Sequence, residues 1–179
     1  MNKYKRLFNN TLIFFMSEFA SKILVFLLLP LYTRYLTTVQ YGIVDLIVTT
    51  VNLLLPIFTL CIAQAAMRFA MDESSNRKQI FSFGAKVMLL GFVLLLALYP
   101  FITRIKNIGP YLPLLYLLYS TSSLDAYFSQ FVRALNMVAL VGISSVVKTV
   151  VMICSNLILL VVFRLGITGY VVSTVFAYS

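Results

Sequence analysis

The sequence predicts an all-α integral membrane protein built as a six-helix bundle, and three observations predict it. Apolar residues make up 61% of the 179-residue chain against 11% charged, with a mean hydropathy of +0.99. A soluble domain needs more charge than that to cover its surface. The apolar residues also fall into five runs long enough to cross a bilayer core of about 30 Å, followed by a shorter sixth. Finally, the runs are joined by short connections, so no polar segment is large enough to form a separate soluble domain.

The first span is expected over residues 12–33. The opening Met1-Asn-Lys-Tyr-Lys-Arg6 imitates the basic start of a signal peptide, but the apolar run continues to about residue 33 and is interrupted by Glu18 and Lys22. That is too long and too charged for a signal core, and a spanning helix fits better. Span 2 is expected over 41–66, with Pro56 set among leucines. The proline removes one backbone hydrogen bond and marks a bend or hinge. Span 3, over 80–103, has only Ser82 and Lys86 as polar residues, both near one end, and reads as peripheral. Spans 4 and 5 are expected over 111–132 and 139–163. Span 6 covers only 168–179. Twelve residues rise about 18 Å, too little to cross, so the sixth helix reads as truncated and the chain as one bundle of a larger protein.

Charge sets orientation. The N-terminal side carries Lys3, Lys5, Arg6, Arg68, Arg77, Lys78 and Arg133, and the opposite side carries Arg34, Arg104, Lys106 and Arg164. Seven against four favours a cytoplasmic N-terminus. Lys86, near the same end of span 3, adds to that bias by snorkelling. The net charge of +9 is scattered singly and forms no basic stripe, which argues against nucleic acid. With no histidine and two isolated cysteines, Cys61 and Cys154, the chain offers no metal site and lacks the usual general base. An enzyme is therefore not expected.

At 100° per residue, four spans carry one polar face each. Span 1 aligns Asn10, Thr11, Ser17, Glu18, Ser21 and Lys22; span 2 aligns Asp45, Thr49, Asn52, Pro56 and Thr59. Span 4 aligns Thr121, Ser122, Asp125, Ser129 and Arg133, and span 5 aligns Ser144, Ser145, Lys148, Thr149, Ser155 and Asn156. Glu18, Lys22, Asp125 and Lys148 fall at one depth, about 9–15 Å from the cytoplasmic boundary. A charge at bilayer depth costs about 2.5–3.5 kcal/mol, so these groups need partners or water. Glu18 has Lys22 one turn ahead, and Asp125 has either Lys148 or Arg133. Such pairs and small polar residues also serve as plain helix-to-helix glue. Lys148 has no acid on its own helix, and a hydrated cavity between helices is the expected surrounding. Arg34 and Asp45 are expected to pair across the tight turn at 35–42.

The stretch Phe26-Leu-Leu-Leu-Pro-Leu-Tyr-Thr-Arg-Tyr-Leu-Thr37, then Gln40-Tyr-Gly-Ile-Val-Asp-Leu46, resembles the opening of bacterial oligosaccharide flippases, the O-antigen and capsule exporters of the MATE-like superfamily. Ala65-Ala-Met-Arg-Phe69 is similar to the same family's first cytoplasmic turn. The resemblance implies a two-bundle transporter of the bacterial cytoplasmic membrane, of which this chain is the first bundle and the second is absent. It implies a polyprenyl-diphosphate-linked oligosaccharide as cargo, moved between leaflets by alternating access. The residues implied to hold the diphosphate are Lys22 and Lys148, with Arg133 at the cytoplasmic mouth and Asn52 as a neutral contact. Glu18 and Asp125 either neutralise the lysines at rest or couple transport to a cation, Na⁺ or H⁺. No cofactor is implied. Two other functions stay open: an ion-coupled multidrug antiporter of the same fold, using Glu18 or Asp125 for cations, and a membrane-embedded glycan polymerase or transferase, which the short loops disfavour.

Overall fold

The computed structural model describes residues 3–72, 76–102 and 109–178. Its regular structure is helical throughout, with no strand among the described residues. Arg104 and Lys106, counted above for orientation, lie outside the described residues, as do the side chains of Lys3, Lys5, Arg6 and Asn10.

Helix α1, Lys3–Leu27, steps at Leu28 into α2, Leu29–Tyr35. Pro30 sits in the first turn of α2, where its missing N–H leaves no bond unmade. A capping box starts α3, Thr38–Thr59. The Gln40 amide donates to Thr37 Oγ1 at 3.2 Å and the Thr37 amide donates to Gln40 Oε1 at 3.0 Å. This box holds the tight turn, and the expected Arg34–Asp45 pair does not form: both side chains are exposed and no ion pair joins them. Between exposed side chains such a pair yields little.

The single span expected over 41–66 is in fact two helices. α3 runs through Pro56 unbroken and stops at Leu60 and Cys61, both left-handed with φ of 50° and 53°, before α4, Ile62–Ala70. Two consecutive non-glycine residues in that region cost about 1–2 kcal/mol each. Packing holds the break. A methyl group on Gly91 of α5, Arg77–Ala97, would overlap the Phe58 carbonyl, so the last turn of α3 lies hard against α5. The discontinuity therefore falls four residues beyond the proline.

The short α6, Tyr99–Ile102, follows α5. α7, Leu112–Ala134, starts after a 3₁₀ turn at Gly109–Tyr111. α8, Val138–Asn156, passes into a π-helical turn, Leu157–Val162, and Arg164 and Gly166 take positive φ to turn the chain into α9, Gly166–Tyr178.

Four segments are long and apolar enough to cross a membrane: Phe15–Tyr35, Thr38–Thr59, Arg77–Ala97 and Val138–Val162. The protein is a multi-pass membrane protein. α7 has the length, with 23 residues rising about 35 Å, but its run Ser120, Thr121, Ser122, Ser123 and Asp125 makes it less apolar than the four. It lies centrally, against α3, α4, α5, α8 and α9. Its apolar side, with Leu115, Leu118 and Tyr119, meets Val44, Ile47 and Val51 of α3 and Leu95 of α5 in the main core. Tyr116 and Tyr127 donate to the carbonyls of Leu95 and Phe81 at 2.9 and 2.8 Å, tying α7 to α5 at two heights. Gly84 admits the Tyr127 ring, which a methyl group there would strike. α1 stands apart from this core and packs chiefly on α8. Large apolar side chains such as Leu53, Leu89 and Val162 cover the outside, as bilayer contact requires.

Candidate functional site

Three helices bring their polar faces to one place. On α1 the residues are Glu18, Ser21 and Lys22; on α8 they are Ser145, Lys148 and Thr149. Both sets follow the i, i+3, i+4 spacing that puts side chains on one helical face. α7 adds Asp125, Ser129, Gln130 and Arg133 from the side opposite its apolar core. Together they line a cavity of about 330 Å³, closed at one edge by Ala177 and Tyr178 of α9. That is near the lower end of the range for small-molecule sites, about 300–1,000 Å³.

The charges are arranged unequally. Lys148 Nζ donates to Asp125 Oδ1 in an ion pair whose side chains are 24% and 21% exposed. Ser129 Oγ, one turn along α7, lies 3.5 Å from the same carboxylate oxygen. Glu18 pairs differently from the helical geometry expected of it. Its Oε1 accepts a hydrogen bond from Ser145 Oγ of α8 at 3.0 Å, and no ion pair joins it to Lys22. Lys22 is exposed on the cavity wall. Three basic side chains, Lys22, Arg133 and Lys148, thus face two carboxylates.

Beyond the Asp125–Lys148 pair, between α7 and α8 and beside the last turn of α9, runs an apolar groove of about 700 Å³ lined by Leu124, Phe128, Val132, Leu140, Val147 and Phe176. The ion pair belongs to the walls of both spaces. Toward α2 the cavity ends. Asn156, fully buried, donates through Nδ2 to Tyr32 Oη at 3.1 Å, above a cluster of Leu28, Tyr32, Leu36 and Leu160. Tyr32 also packs edge-on against Tyr170 of α9, with ring centroids 4.9 Å apart.

Of the residues singled out in the sequence, Lys22, Lys148, Arg133, Glu18 and Asp125 share this cavity. Asn52 does not. It is exposed on α3, and Asp45, Thr49 and Pro56 of the same face also point outward, because α3 turns its Val44–Ile47–Val51 side to the core. Pro56 instead borders a separate space of about 250 Å³ at the α3–α4 break, with Thr59, Met88 and Ser123. Asn156 continues the polar face of α8 beyond the cavity, where it bonds to Tyr32. Gln130 and Tyr178 were not singled out: Gln130 stands about 100° around α7 from Ser129, outside the polar arc, and nothing in the sequence brings Tyr178 to this height. No cluster of three or more potential metal ligands occurs among the described residues.

A family model described as "Polysaccharide biosynthesis protein" matches residues 7–179. Comparison with curated proteins and with solved structures gave no match. The match takes in every helix that builds the cavity, and the all-helical, multi-pass architecture agrees with it: the chain belongs to the polysaccharide biosynthesis protein family.

Proposed function

We propose that the chain takes part in moving a polyprenyl-diphosphate-linked oligosaccharide across the membrane by alternating access, without making or breaking a covalent bond. The observation that carries this reading is the polar cavity between α1, α7 and α8, with three cations at its wall inside a membrane-spanning bundle. Diphosphate is an anion that lysine holds as a point charge and arginine through its fork of donors. The cavity is too small for a whole oligosaccharide, which fits recognition of the diphosphate and the group next to it. The cytoplasmic membrane and an N-terminus on its inner side belong to the same reading.

Two side chains carry the chemistry. Lys22 offers an exposed ammonium group; Lys148 offers one that is already held by Asp125. Replacing both by Met should abolish delivery of surface polysaccharide, with lipid-linked glycan accumulating on the inner leaflet while protein levels hold. Unchanged export would sink the proposal. The antiporter reading draws on Glu18, a carboxylate hydrogen-bonded to a serine with no lysine paired to it, which leaves it open to a cation. Intact export with lost drug resistance in Glu18→Gln would favour that reading. Glycan accumulating unpolymerised outside would favour a polymerase.

A further inference from the structure

The cavity's two lysines differ in their partners, and the difference suggests an order of events. Lys22 is exposed, and its nearest acid in sequence, Glu18, is turned to Ser145. Lys148 is three-quarters covered and bound to Asp125 of the neighbouring helix. An ammonium in that position needs a counter-ion when the cavity holds no ligand, because an unpaired charge at this depth is costly.

We infer that Asp125 is an exchangeable stand-in for the ligand's anionic head: the head meets Lys22 first and then displaces Asp125 from Lys148. This rests on the reading of the cavity as a diphosphate site and adds a role for the acid within it. Three features make the exchange feasible. The ammonium has three N–H donors, so it holds the carboxylate and an incoming phosphate oxygen together during the swap. Ser129 Oγ already donates to Asp125 Oδ1 at 3.5 Å and keeps a donor on the carboxylate once Lys148 lets go. The pair also lies on the wall shared by the polar cavity and the apolar groove, where a head group and an attached hydrocarbon chain would part company. Competition by Asp125 weakens binding, and a carrier needs binding loose enough to release.

The test is binding of sugar-free polyprenyl diphosphate to the detergent-solubilised chain, measured by calorimetry on variants checked for folding by thermal melt. Asp125→Asn should bind about two- to fivefold more tightly than wild type, the scale of a partly exposed ion pair lost as competitor. Glu18→Gln removes the same charge from the same cavity without freeing a lysine and should tighten binding less than Asp125→Asn does. Lys148→Met should bind weakly, and Asp125→Asn/Lys148→Met no better. Should Asp125→Asn fail to fold, Asp125→Ala carries the same expectation. Tightening by Glu18→Gln equal to that by Asp125→Asn would reduce the effect to net charge and overturn the exchange. So would a loss on Lys148→Met with no gain on Asp125→Asn, though that result would leave the diphosphate site standing. Wild-type binding by Lys148→Met would remove both.

Discussion

α7 separates two seams of different character. On the side of α3 and α5 the contact is apolar and close: Leu115, Leu118 and Tyr119 meet Ile47, Val51 and Leu95, and Gly84 and Gly91 let neighbouring groups approach to backbone distance. On the side of α1 and α8 the contact is polar and open, with Lys148–Asp125 and Glu18–Ser145 bridging helices around a cavity. Packing of the first kind is intolerant of added volume and fixes geometry. Hydrogen bonds and ion pairs of the second kind contribute little net stability each, and they re-form with new partners. Under the proposed function, one helix serves as the fixed frame with one face and as the working surface with the other.

The sharpest way to break this division is to substitute on the working side. Lys148→Met should cut polysaccharide export about tenfold or more, with loss of a charge-assisted phosphate contact as the cause. The melting temperature should fall modestly, since Asp125 loses its partner, and Asp125→Asn alongside should restore stability but not export. On the frame side the signs reverse. Gly91→Leu drives a side chain into the Phe58 carbonyl and should cost about 1–3 kcal/mol of stability, read as a lower melting temperature of the solubilised protein. Export per folded molecule should stay near wild type.

Two smaller effects sharpen the boundary between the regions. Tyr32→Phe removes the acceptor for Asn156 Nδ2 and leaves a fully buried amide unpaired, at about 1–3 kcal/mol. Asn156→Leu should be milder than Tyr32→Phe: each leaves one buried polar group unpaired, but the leucine also removes the amide oxygen, which has no partner. A melt series of the two variants checks that order. Smallest of all, Ser145→Ala deprives Glu18 of one donor at the cavity wall and should shift stability by about 0.5–1.5 kcal/mol.

What could be read from the sequence follows the same division. The polar faces of α1, α7 and α8 were legible because helical periodicity fixes which side chains stand together, and membrane depth forces charged ones toward each other. Periodicity does not say which way a face points once formed. Asn52 therefore joined the candidate site on paper while α3 turns it outward. The end of α3 was misplaced for another reason. Pro56 is the local breaker signal, yet the helix tolerates it and breaks at Leu60–Cys61, residues with no breaker chemistry, where contact with Gly91 decides the path. Asn156 stands on the same side of α8 as Ser145, but one end of that side meets the cavity and the other meets Tyr32. Tertiary packing made these choices, and a single helix carries no record of its neighbours.

The central claim is that amines from α1 and α8 share one hydrated, anion-binding space. Val25→Cys on α1 and Ser145→Cys on α8, which line the same cavity and leave both amines in place, each made after replacing the exposed Cys61 and Cys154 by serine, test it by labelling with a charged thiol reagent. Both positions should react, and polyprenyl diphosphate should protect both over the same concentration range. Labelling at one position alone, or protection of one without the other, would contradict a shared site.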